Sequence, residues 1–133
     1  MDQAQQVLHD WLASEAWHAP AVPLLIPERV IASLTSILAA EQPGEPALAL
    51  CQATLSTLFR AYRQAARAHA ALLAELLAKL GTFSTAHFRG AAVDFLNMAP
   101  DLGQRAIEGW VELLHLSPQQ EQQLRTELFH ALR

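Results

Sequence analysis

Two pairs of residues, Glu112/His115 and Glu127/His130, have a spacing that metal chemistry uses. A Glu and a His three positions apart leave one face of a helix together, and two such pairs with further glutamates hold metal ions between helices. Their placement argues against that use. Each pair falls in the last turn of a helix, where His is favoured simply by the negative end of the helix dipole. The two helices are joined by a very short turn and should run antiparallel. His115 then sits at the turn and His130 roughly 15–20 Å away, at about 1.5 Å per residue. The expectation is no metal and no cofactor, with Glu112, His115, Glu127 and His130 as the only candidate ligands.

Nucleophilic chemistry has little to work with. The single cysteine, Cys51, has no His within one helical turn to deprotonate it and no partner for a disulfide. Gly-x-Ser-x-Gly, a glycine-rich phosphate loop and Cys-x-x-Cys are all absent from the sequence. A non-enzymatic chain is therefore expected. Arg60, Arg63 and Arg67 line one helix face in a stretch, 57–90, that holds five basic residues and one acidic one. They suit an anion or an acidic partner. The competing reading is a solvated face paired with the acidic arms of the same chain. No aromatic residues interleave with these arginines, and the chain carries a net charge of −4, so nucleic acid is not expected as a partner.

The elements that must carry these residues are helical almost throughout. Ala (25) and Leu (23) exceed a third of the 133 residues, and β-branched residues nowhere alternate with polar ones over a useful length. The pattern predicts one all-α domain, residues 1–133, of about six helices. Asp2 caps a first helix to about His18, with Val7, Leu8, Trp11 and Leu12 inward. The prolines of 19–27 impose an extended link, and Pro27 opens a second helix whose inner face is Val30, Ile31, Leu34, Ile37 and Leu38. Ser84 should cap a fourth helix that Pro100 stops. Asp101 and Gln104 read as a capping box for a fifth, and Ser117-Pro118-Gln119-Gln120 as one for the last. That last helix faces inward through Leu124, Leu128, Phe129 and Leu132. No internal repeat is evident.

Between them lies the element that shapes the functional expectation. Residues 47–80 hold neither Gly nor Pro, and Gly81 sits where a left-handed cap belongs. One uninterrupted helix of about 34 residues would be roughly 50 Å long. Its seam of Leu48, Cys51, Leu55, Leu58, Tyr62, Ala65, His69, Leu72 and Leu76 keeps a strict three-four alternation. A compact domain of this size is only about 36 Å across, so the rod should project and need cover. The reading is a helical bundle around one long central helix, acting as a non-catalytic interaction module (an adaptor, assembly factor or small chaperone) and forming a homodimer or binding another protein. The expected interface is Leu48, Leu55, Leu58, Tyr62 and His69, together with Trp17, Leu24 and Leu25 near the proline-rich link. Alternatives are a small-molecule or lipid carrier with a pocket among the Ala and Gly positions, and a metal-dependent enzyme built on the Glu/His pairs. The N-terminus lacks the basic start of a signal peptide and no apolar run reaches 18 residues, so a cytoplasmic protein without a membrane span is expected.

Overall fold

The computed structural model describes residues 2–18 and 25–132, the side chains of 15–18 excepted. Among the described residues there are helices and no strands. The α-helices are α1 (Gln3–His18), α2 (Glu28–Ala39), α3 (Glu45–Ala61), α4 (Arg63–Ala68), α5 (Ala70–Phe83), α6 (Thr85–Met98), α7 (Gly103–Leu113) and α8 (Pro118–Ala131). A 3-10 turn, Pro100–Leu102, precedes α7. Several helix starts follow from local hydrogen bonding. Asp2 accepts the Gln5 amide at 2.8 Å and Ser84 the His87 amide at 3.3 Å. Ser117 and Gln120 complete a reciprocal capping box, with the proline at the first helical position.

The long rod is not there. It breaks at Tyr62 (φ −109°, ψ 40°) and again at His69 (φ −116°, ψ 25°). Neither break needs Gly or Pro, because both dihedral pairs lie close to the sparsely populated bridge region open to any L-residue. Each break forfeits main-chain bonds worth about 0.5–1.5 kcal/mol apiece. Against that stands the burial of Leu55, Leu58 and Phe59 on α3 and of Leu73, Leu77 and Leu80 on α5, all fully buried. At about 1.5–3 kcal/mol for each such side chain, folding back outweighs the lost bonds. Tyr62 is held at the break by its ring against Trp11, with centroids 5.6 Å apart. Most of the apolar seam that called for an outside partner is therefore covered by this chain's own helices, His69 and Leu72 staying exposed.

The return path fixes the architecture. Helix α6 starts one residue after α5 ends. Its His87 meets Glu45 and Gln52 at the start of α3, while its Asp94 meets Arg60 at the end of α3. So α6 runs parallel to α3, and α5 must return antiparallel to both. The pairs Arg67–Asp101, Ala74–Trp110 and Gly81–Leu114 put α7 parallel to α5 in the same way. Two hairpins, α3–α4–α5 and α6–turn–α7, thus repeat in space with matched positions about 34 residues apart, as in Arg63–Asn97 and Arg67–Asp101. Helices α1, α3 and α6 form one layer and α2, α5 and α7 the other, with α8 packed on α6. The sequence shows no repeat because the two hairpins share their geometry and not their side chains.

Three further expectations need correction. Gly81 is no left-handed cap: no described glycine has positive φ, and α5 continues to Phe83. A Cβ at Gly81 would meet Leu114 and Phe88 at 3.2 Å, so its role is close packing. Asp101 caps nothing through its side chain, which reaches across to Arg67 instead. Phe129 points outward, 54% exposed, although Leu124 and Leu128 are buried as expected.

Among the described residues, the one with left-handed backbone is His115, φ 53°. It ends α7 in a Schellman motif: the Leu116 amide donates to the Val111 carbonyl at 3.0 Å and the His115 amide to that of Glu112 at 3.2 Å. A side chain in that conformation costs about 1 kcal/mol. His115→Gly is expected to stabilise the fold by roughly 0.5–1 kcal/mol and raise Tm by roughly 2–4 °C in a thermal melt.

Candidate functional site

Trp110 is the centre of the α5–α7 contact. Its indole Nε1 donates to the Ala74 carbonyl at 2.9 Å, and its ring meets Phe88 edge-on at 5.2 Å and Phe95 at 5.7 Å. Phe95 in turn meets Phe59 at 5.3 Å. The ring is buried against both helices, and the positions beside it are small. Ala70, Ala71 and Ala74 form one wall, Ala106 and Gly109 the other, with Leu102 and Leu113 along the margin. The result is an apolar groove of about 500 Å³, floored by Trp110 and Phe95. Ala71 is exposed and a Cβ added at Gly109 would meet nothing within 4 Å, so the groove opens to solvent.

Gly109 stands out from its neighbours for that reason. A Cβ at Gly90 would collide with the Gln52 side chain, and one at Gly103 would press on Leu96 at 3.2 Å. Those glycines permit close packing inside the chain. Gly109 has no such neighbour, yet in the middle of α7 it costs about 1 kcal/mol relative to Ala.

Charged residues at the groove are Arg67, Glu75 and Arg105. Arg67 forms a two-pronged pair with Asp101, at 2.9 and 3.0 Å, and also donates to the Met98 carbonyl at 3.5 Å. The hydrogen bonds from Arg67 hold the Asp101 carboxyl below its usual range, and the same contact raises the Arg67 guanidinium.

The residues singled out from sequence scatter. Leu48, Leu55, Leu58 and Tyr62 are at most 6% exposed and belong to this chain's core, so they offer no surface to a partner. His69 is exposed at the second break instead of sitting on a seam. Leu25 is 81% exposed, while Leu24 and the Trp17 side chain lie outside the described residues. The arginine strip is exposed to solvent and pairs along α6 and the turn that follows it. Arg60 pairs with Asp94 at 3.3 Å, Arg63 donates to the Asn97 carbonyl at 3.2 Å, and Arg67 takes Asp101. The competing reading of that strip, as a face paired within the chain, is the one the geometry favours.

Of the candidate metal ligands, Glu112, His115 and His130 are exposed and Glu127 lies 2.8 Å from the Arg89 guanidinium. Among the described residues, no three His, Cys, Asp or Glu side chains gather as a metal site would require. A second cavity of about 470 Å³ lies between the 81–85 and 113–117 turns beneath α8, lined by Thr82, Thr85, His115 and Gln120 among others. The sequence offered a pocket among the Ala and Gly positions only as an alternative and did not place it between α5 and α7. The groove's signal was present in Ala70, Ala71 and Ala74, but a helix apolar nearly all round reads as enclosed, and here one face is left open. No described helix is long and apolar enough to cross a membrane. Compared with protein-family models, curated proteins and solved structures, the chain matches none.

Cys51 is fully buried, and that burial pushes its thiol from an ordinary 9.0 up to about 12. A thiol so hard to ionise is no nucleophile at neutral pH. Between those two values the unfolded chain releases a proton that the folded chain keeps, so stability falls as pH rises from about 9 toward 12, by up to about 1.4 kcal/mol per pH unit. Urea titrations at pH 8 and pH 10.5 should show a steeper alkaline loss for the natural protein than for Cys51→Ala.

Proposed function

We propose that this chain is a non-catalytic interaction module whose α5–α7 groove receives an apolar segment of a partner protein. The observation that carries the reading is Gly109, a destabilising residue in mid-helix beside open space at an apolar groove. A backbone that must come close to a second surface is the usual reason to keep a glycine without a neighbour of its own. Helix-in-groove recognition uses this architecture, an apolar channel between two helices that admits the apolar face of a third. Small wall residues let a docking helix approach to ordinary interhelical distances of about 8–10 Å. Stacked hairpins support the reading too, because such stacks present extended surfaces to partners. The interface thereby moves from the seam of α3, which is core, to the outer face of α5 and α7.

A small apolar ligand is the second reading, favoured by a volume of about 500 Å³, which lies within the range of about 300–1,000 Å³ usual for such pockets. Native mass spectrometry separates the two, since a carrier retains its ligand through purification.

Two substitutions at one position test the module. Gly109→Ala adds a methyl where nothing stands within 4 Å and should stabilise the fold by up to about 1 kcal/mol in urea titration. Gly109→Phe should fold equally well, judged by circular dichroism, but fill the groove. A partner captured from the native host, identified and purified, should bind Gly109→Phe at least tenfold more weakly than the natural chain, a loss of about 1.4 kcal/mol. Unchanged affinity for Gly109→Phe would overturn the reading.

A further inference from the structure

The groove carries a charge register. Arg67 already holds a two-pronged pair with Asp101 and bonds the Met98 carbonyl. Arg105 on α7 and Glu75 on α5 are exposed on opposite walls, and neither has an ion pair or side-chain hydrogen bond among the described residues. Helices α5 and α7 run parallel, with Arg67 level with Asp101 and Ala74 level with Trp110. Arg105 is therefore level with the residues near 70, and Glu75 with those just past Trp110. The two charges stand about five residues apart along the axis, roughly 7–8 Å at 1.5 Å per residue.

Resting on the reading above, we propose that the occupant is an amphipathic helix of a partner protein with an acidic residue facing Arg105 and a basic residue facing Glu75, about five positions apart. Five positions on an α-helix advance about 7.5 Å and turn about 140°, which sets the two residues on opposite edges of an apolar stripe. That matches charges on opposite walls. A fatty carboxylate would satisfy Arg105 but lay its tail beside Glu75, stripping water from a carboxylate with no partner. Two copies set groove to groove would lay one concave face on another and fill neither, with Leu113 the exposed large apolar side chain among the lining residues.

The test uses the full chain and two synthetic, fluorescein-labelled 20-residue Ala/Leu amphipathic helices. One carries Glu and Lys five positions apart on the stripe's edges, and the other carries Gln at both places. Anisotropy titrations at low salt should show the charged peptide binding about fivefold tighter, as expected for two surface charge pairs. The preference should vanish in 0.5 M salt and in the double variant Arg105→Gln/Glu75→Gln, while Gly109→Phe should weaken both peptides at least tenfold. Equal binding of both peptides to the natural chain, with the Gly109→Phe loss intact, overturns the charge register and leaves the groove reading standing. Failure of both peptides to bind, or binding indifferent to Gly109→Phe, overturns both. A dimer seen by light scattering and abolished by Gly109→Phe, or a lipid retained in native mass spectrometry, overturns the choice of occupant.

Discussion

The reversal of the chain between Ala61 and Ala70 sets the rest of the molecule. An apolar stretch of this length has two ways to leave water: find a partner along a straight rod, or fold upon itself. The chain folds. The connecting turn of helix, α4, is fastened at its outer side by Arg63 and Arg67, which reach carbonyls at the far end of α6 and the Asp101 carboxylate in the turn after it. On its inner side Tyr62 lies against Trp11. Once the reversal is made, α5 returns along α3, the one-residue link at Ser84 turns α6 back again, and the two-layer order follows. The fold is a consequence of covering one greasy stripe with another.

That arrangement leaves a residue of geometry. Packing α7 against α5 beside Trp110 leaves a groove walled by alanine and glycine, and the chain has put nothing larger there. Alanines also fill the interior elsewhere, as at Ala66, Ala91 and Ala92, but there they are buried, whereas Ala71 on the groove wall is exposed. Filling the gap with a single larger side chain would bury more apolar surface and remove a helix-weakening glycine. Stability alone gives no reason to leave it open.

Much of the local structure was legible in the residues, because it is written in short-range hydrogen bonds. Asp2, Ser84 and the Ser117/Gln120 pair name their helix starts, and the inner faces of α1 and α2 follow their periodicity. The breaks at Tyr62 and His69 were not legible. A shift of a few tens of degrees in two dihedrals needs no special residue, and its reward comes from partners some 34 positions away. Asp101 shows the same limit from the other side. Its spacing to Gln104 is that of a cap, but a guanidinium offers it two charge-assisted bonds and a helix start only one or two neutral donors. The groove was half legible: the small residues were visible, and whether they faced a neighbour or water depended on where α7 lay.

The electrostatics sharpen the meaning of that open face. Arg60, Arg67, Arg89 and Arg125 each find a carboxylate within 3.3 Å, at Asp94, Asp101, Glu127 and Glu121. Surface pairs of this kind contribute at most about 1 kcal/mol each, so pairing is not forced by stability; it is what long side chains do when a complement lies within reach. Arg105 and Glu75 flank the same groove without such a complement, because they stand on different helices with an offset of about five residues along the axis. The apolar surface and the two unmatched charges therefore lie side by side on one face of the α5–α7 pair, and the register of two parallel helices is what keeps the charges from answering each other.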